Sequence, residues 1–248
     1  MPIIYEPRGK AREYSALAAN LYKGCAHGCR YCFAPAATFT PRGEFSSPGY
    51  IRPRPDVLKA LAKEAEALAG DPRLILMSFT SDVYQPVEKT LKITRRALEI
   101  LAANNLRPQI LTKAGPWAIE RDGELLARAR GIWAATLTTD DPAESSEWEP
   151  GAALPAERIE ALRLAKGASL ETWVSLEPVI NPKAVYRLID ATAGFVDLYK
   201  VGKLNYHPRA KEIDWAEFLA RVEARLDAHG SRRYIKVDLE AFRTHKVA

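Results

Sequence analysis

Along this chain, short runs of β-prone apolar residues alternate with stretches whose apolar positions recur at helical spacing. The first run, Leu17–Lys23, leads into a loop rich in cysteine and glycine. A helix is predicted over Pro55–Ala69, with proline in its first turn, Gly70 after its end and Pro72 beyond. Arg73–Phe79 reads as a buried strand and Val87–Ala103 as one amphipathic helix, with Val87, Leu91, Ile93 or Thr94, Leu98 and Leu101 on its apolar face. The alternation continues with strand Arg107–Thr112, helix Pro116–Arg130, strand Ile132–Leu137 and helix Pro155–Lys166, stopped by Gly167. Strand Thr172–Leu176, helix Pro182–Ala191, strand Val196–Val201, helix Trp215–Ala228 and a β-prone Arg233–Val237 complete it.

Six strand–helix units imply an α/β fold on a parallel sheet, read here as a partial (β/α)6 TIM-like barrel in a single domain. A doubly wound open sheet is the competing architecture, because periodicity does not reveal whether a sheet closes. The expected organisation is an N-terminal extension over 1–16, a core over 17–207, and a C-terminal helix and strand over 208–248 closing the barrel. In either architecture ligands sit at the carboxyl ends of the strands. The polar residues there are the cysteine loop; Ser78, Thr80, Ser81 and Asp82; Thr112 and Lys113; Thr136, Thr138 and Thr139; Ser175 and Glu177; Lys203 and Asn205.

Composition alters this picture little. Of 248 residues, 47% are hydrophobic and 27% charged, the proportions of an ordinary globular protein. No signal-peptide core opens the chain, and no stretch approaches the roughly 18 apolar residues of a membrane span. A cytoplasmic protein with no membrane partner is expected. The net charge of +5 suits a polyanionic partner, though the excess is small for this length.

The three cysteines do alter it. Cys25, Cys29 and Cys32 lie within eight residues, spaced C-x3-C-x2-C, with Tyr31 before the last. An odd, clustered set argues for metal or redox chemistry rather than a disulfide framework. Three thiolates are one short of the four of an ordinary 4Fe–4S cluster, which leaves one iron open to another ligand. The alternative is zinc held by the three cysteines and His27, although four donors in eight residues make a cramped tetrahedron.

The C-x3-C-x2-C motif after the first strand of an α/β chain resembles that of the radical S-adenosylmethionine enzymes. Tyr22 through Ala34 is further similar to the spore photoproduct lyase-like, or DNA repair photolyase-like, branch. So are Ser78-Phe79-Thr80-Ser81-Asp82, the run from Tyr84 to Lys89, Thr112-Lys113, Glu149-Pro150 with Arg158, and the Pro178 segment. The resemblance spans about Leu17 to Asn205 and implies the barrel type of that superfamily. It implies a 4Fe–4S cluster on Cys25, Cys29 and Cys32, with S-adenosyl-L-methionine on the fourth iron. Reductive cleavage of this cofactor would give a 5′-deoxyadenosyl radical that abstracts hydrogen from substrate.

Site roles follow from the same resemblance. Tyr31 would help hold the adenine, and Ser78, Thr80 and Ser81 the methionine ammonium. Asp82 would add charge or cap its turn, and Lys113 would reach a carboxylate or substrate phosphate. Glu177 would meet ribose or substrate, with Lys203 and Asn205 at the opening. His27 would order the loop rather than bind iron. Arg158, in the first turn of a helix where a cation is disfavoured, needs an anionic partner, taken to be the cofactor carboxylate. The spore photoproduct lyases resemble a pattern with an extra cysteine that returns hydrogen, and this chain has no fourth cysteine. Return would fall to Tyr84, Tyr199 or Tyr206, or to the regenerated cofactor. The substrate expected is a nucleic-acid base or nucleotide, and the electron donor a flavodoxin or ferredoxin. Two alternatives stand beside it: the same chemistry on a small metabolite or peptide, and a zinc-stabilised nucleic-acid-binding module without catalysis.

Overall fold

The computed structural model describes residues 2–243. It begins with strands β1 (Ile4–Tyr5), β2 (Leu17–Ala19) and β3 (Tyr22–Lys23), then helices α1 (Ala34–Ala37) and α2 (Arg42–Phe45) and strand β4 (Arg52–Pro53). There follow α3 (Val57–Ala67), β5 (Leu74–Met77), α4 (Glu88–Leu91), α5 (Ile93–Ala103), β6 (Arg107–Thr112), α6 (Pro116–Arg128) and β7 (Ile132–Thr136). The remainder is α7 (Pro142–Trp148), α8 (Pro155–Gly167), β8 (Glu171–Val179), α9 (Pro182–Thr192), β9 (Leu198–Lys203), α10 (Trp215–Ala228), β10 (Arg232–Ile235) and α11 (Val237–Glu240).

Eight strands form one sheet in the order β1-β2-β5-β6-β7-β8-β9-β10, parallel throughout except where β1 runs against β2. The strand order and its parallel ladders are those of a partial (β/α) barrel. The register places Leu17 beside Ile75 and Ile75 beside Pro108. Alternate residues therefore face the helices or the barrel interior. Ile75, Met77, Ile110, Trp133, Val174 and Val201 join the large outer core under the helices. Ile132, Ala134 and Trp173 form a small inner core with Tyr14, Leu74, Leu111 and Leu198. Strands buried on both faces read as continuous apolar runs, which is why their positions were legible.

Three expectations change. The predicted helix Val87–Ala103 breaks at Lys92, whose φ of 51° is left-handed, into α4 and α5. The buried Glu88 carboxylate accepts from the amides of Ile93 and Thr94 at 3.1 and 3.0 Å, so a residue of the first helix caps the second. The run Leu17–Lys23 divides likewise: β3 leaves the sheet to pair with β4. Finally, the C-terminal piece does not close the barrel. β10 adds parallel to β9, and among the described residues no ladder joins it to β1. Residues 8–14 occupy that seam instead. Lys10 pairs with Asp238 at 2.8 Å, and Glu13 Oε2 accepts from the Val237 amide at 3.1 Å. The predicted N-terminal extension is thus part of the barrel wall, while 244–248 lie outside the described residues. The unpredicted α7 carries an ordinary signal, Asp141 accepting from the Ala143 and Glu144 amides with Pro142 next to it.

Candidate active site

At the carboxyl ends of the strands a cavity of about 500 Å³ opens above the inner core. Cys25, Cys29 and Cys32 stand on one side of it and are not disulfide-bonded. Their loop holds its shape through its backbone. Arg42 donates to the carbonyls of Cys29 and Cys32, each at 2.8 Å, and Gln85 Oε1 accepts from the Ala26 amide at 2.9 Å. The Gly151 amide donates to His27 O at 2.9 Å, and Arg30 N to Trp148 O at 2.9 Å. Two glycines permit this packing. A Cβ on Gly151 would lie 2.2 Å from Ala26 O, and one on Gly24, whose φ is +72°, would lie 2.7 Å from Phe45 O. With the backbone satisfied elsewhere, the sulfurs are left for a ligand.

Burial first, then the Asp82 charge, pushes the Cys25 thiol up; burial pushes Cys29 up to about 11. A metal centre must therefore displace protons to take these sulfurs as thiolates. Among the described residues no three His, Cys, Asp or Glu side chains converge as one metal ion requires. Three spaced thiols beside a large cavity fit a group that offers a separate metal corner to each. His27 is buried with Nδ1 3.4 Å from Asp82 Oδ2, and burial lowers its pKa, which suits loop ordering.

Asp82 has both oxygens engaged. Oδ1 accepts from the Tyr84 amide at 2.8 Å and Thr112 Oγ1 at 2.7 Å, and Oδ2 from the Lys113 amide at 2.7 Å. It caps its own turn and ties it to β6. Ser78 Oγ donates to Asn20 Oδ1 at 2.6 Å, and the same oxygen accepts from the amides of Phe79 and Thr80 at 3.0 and 3.1 Å. Asn20 thus organises the Ser78–Ser81 turn, and the Thr80 and Ser81 side chains line the cavity beside it. The sequence signal for Asn20 is a polar residue directly after the strand Leu17–Ala19.

Tyr31 donates to Glu149, and burial followed by that charge holds its phenol pKa well above the ordinary value. The other Glu149 oxygen lies 2.5 Å from Arg158 Nη1. Arg158, 1% exposed, also donates to the carbonyls of Ala153 and Thr136 at 2.7 and 3.0 Å. The expected anionic partner of Arg158 exists, but it is Glu149. Arg158 lies behind the cavity wall and braces Tyr31. Lys113 does line the cavity, its ammonium 5.6 Å from the Tyr31 ring centre. Burial works against that charge, yet Cys29, Glu149 and Asp82 carry its pKa above the usual lysine value.

Across the cavity, Glu177 Oε2 takes the Tyr14 hydroxyl and Lys236 Nζ, the latter at 3.1 Å. Lys236 is 2% exposed and sits 3.4 Å from the Tyr14 ring centre. A Cβ on Gly202 would lie 2.6 Å from the Glu177 carboxyl carbon, so glycine makes its room. Sequence reasoning missed Tyr14 and Lys236, which flank the six repeats. Lys203 and Asn205 line the cavity, and Tyr206, 99% exposed, stands at its mouth. The other two tyrosine expectations fail on position. The Tyr199 hydroxyl bonds Thr192 at 2.7 Å on the helix side of β9, because the alternation that turns Lys200 inward turns Tyr199 outward. Tyr84 is buried outside the cavity, packed on Trp117 and Trp133 with its hydroxyl 3.0 Å from Asp122.

A spore photoproduct lyase mutant with bound AdoMet and dinucleoside spore photoproduct superimposes with TM-score 0.69 at 15% identity, over 93% of this chain and 78% of that one. This chain has the spore photoproduct lyase fold. Streptococcus suis SuiB bound to S-adenosylmethionine shares the fold with TM-score 0.60 at 14% identity, over 88% of this chain and 49% of SuiB. No family model matches. An uncharacterized Mycobacterium tuberculosis protein is 27% identical over 169 residues, 65% of this chain and 48% of the relative. An uncharacterized Methanocaldococcus jannaschii protein is 27% identical over 190 residues, 75% of this chain and 69% of the relative. The chain spans about half the length of its mycobacterial relatives. No helix among the described residues is long and apolar enough to cross a membrane.

Proposed function

We propose that the chain is a radical S-adenosylmethionine enzyme. The observation that carries this reading is a loop of three free thiols, its backbone tied to other elements, facing a ligand-sized cavity at the strand ends. Cys25, Cys29 and Cys32 would hold three irons of a 4Fe–4S cluster, and S-adenosylmethionine would lie beside it. When bound and reduced, this pair supplies a 5′-deoxyadenosyl radical for hydrogen abstraction.

The chain's own residues bind and orient. Lys113 would take the cofactor carboxylate, having among the described residues no carboxylate within ion-pairing distance. Thr80 and Ser81 would receive its ammonium, on a turn fixed by Asn20 and Asp82. Tyr31, braced by Glu149 and Arg158, would pack against the adenine. Glu177, oriented by Tyr14 and Lys236, would accept from a ribose hydroxyl. A nucleic-acid base or nucleotide is the substrate we favour, because the fold is shared with a lyase bound to a dinucleoside lesion and the mouth carries Arg8, Lys10 and the exposed Tyr206. Tyr206 is then the tyrosine placed to meet substrate. A flavodoxin or ferredoxin in a reducing cytoplasm would supply the electron.

Against the zinc reading, the one imidazole of the loop already faces Asp82. Anaerobic reconstitution with iron and sulfide, then dithionite and S-adenosylmethionine, tests the proposal. The expected results are a brown protein and 5′-deoxyadenosine, both lost in Cys25→Ala, Cys29→Ala and Cys32→Ala. A colourless protein with about one zinc per chain would end it.

A further inference from the structure

One side chain at the mouth of the main cavity is held in the open against its own backbone preference. Tyr206 has a φ of 57°, in the left-handed region that a bulky residue rarely adopts. A residue stays there only where its surroundings fix it. Both neighbours are fixed here. Asn205 Nδ2 donates to Asp238 Oδ2 at 2.8 Å, the oxygen that Lys10 also holds. His207 Nδ1 accepts from the Arg209 amide at 3.2 Å, and its ring centre lies 4.9 Å from that of Trp148. The Tyr206 ring between them lines the cavity, is 99% exposed, and has no ring contact or hydrogen bond among the described residues. Phe33, 56% exposed, offers a second open ring to the same cavity from beside Cys32. The Tyr206 hydroxyl lies near enough to Lys10 to act on its ammonium. Arg8, exposed and also lining the cavity, has among the described residues no carboxylate within ion-pairing distance.

We infer that Tyr206 is a stacking platform for the flat face of an unpaired nucleobase, and so selects single-stranded over intact duplex nucleic acid. The inference rests on the nucleic-acid reading proposed above. Inside a duplex both faces of a base are covered by its neighbours. An exposed ring is therefore covered only by a base that has left the stack or lies in a single strand. Every base has a π-face, so the platform tolerates sequence. Arg8 and Lys10 suit the phosphates on either side of the stacked base. The left-handed backbone has a use in this role. It holds the ring outward before substrate arrives, so less freedom is lost on binding. The face of the ring acts, and the hydroxyl is dispensable.

The test is fluorescence anisotropy with a labelled strand of about ten nucleotides, alone and annealed to its complement, titrated with the reconstituted chain under anaerobic conditions. The wild type is expected to bind the single strand at least about fivefold more tightly than the duplex, with an affinity that falls as salt is added. Tyr206→Gly adopts the left-handed angle freely, so its melting temperature should be no lower than that of the wild type. Its single-strand affinity should nevertheless fall about tenfold, with duplex affinity within twofold of the wild type. Tyr206→Phe keeps the ring and should bind like the wild type. Equal single-strand binding by wild type and Tyr206→Gly overturns the platform and leaves the nucleic-acid reading standing. A loss in Tyr206→Phe as large as in Tyr206→Gly overturns it too, by assigning the contact to the hydroxyl. A wild type that binds neither single strand nor duplex overturns the platform and the nucleic-acid reading together.

Discussion

The two walls of the main cavity are built differently. On the cysteine side, charged and polar groups neutralise one another out of solvent: Arg158 on Glu149, Glu149 on Tyr31, Asp82 on its own turn and the end of β6. The three thiols there are free of disulfides. On the opposite wall, Lys236 lies against the Tyr14 ring, and one carboxylate oxygen takes two donors. The first wall is rigidified to present three thiols in one arrangement. The second keeps charge within reach of whatever enters, which suits recognition of a substrate.

The largest effect that would separate the walls is loss of the buried pair. Glu149→Gln or Arg158→Met leaves one buried charge unpaired and should cost about 3–5 kcal/mol in urea unfolding. Cluster content after reconstitution should fall with it, while Lys236→Met leaves cluster content unchanged. Equal iron loss in all three variants would erase the distinction. Gly151→Ala forces a methyl into Ala26 O and should cost about 2 kcal/mol, with faster loss of iron on dilution. Stability unchanged by that methyl would mean the loop is not clamped.

The most gradual effect belongs to Lys200, whose ammonium donates to the carbonyls of Glu13 and Tyr14, at 3.2 and 3.0 Å. Burial, then Lys236, lowers its pKa from 10.5 to about 8. Between those values the unfolded chain holds a proton that the folded chain has released, so stability should rise with pH there and be flat below. The rise should be no steeper than about 1.4 kcal/mol per pH unit and absent in Lys200→Met. Urea unfolding at a series of pH values reads this directly.

The repeat of strand and helix was legible because buried parallel strands are apolar throughout, and the cysteine loop because its spacing is local. What escaped depends on distant partners. The macrodipole argument correctly required an anion for Arg158, but only the fold shows that Glu149 supplies it. Helical spacing runs on through Lys92, while the break there depends on the Glu88 carboxylate turning back on the next helix. Tyr14 and Lys236 stand outside the repeats, and nothing in their local pattern says that they meet.

That meeting has a consequence for how the protein comes into being. The floor of the larger cavity is stapled by a tyrosine translated early and a lysine translated late. While the chain is still on the ribosome, the thiols are made long before the wall facing them exists. The recess facing the thiols is assembled only once synthesis has passed β10.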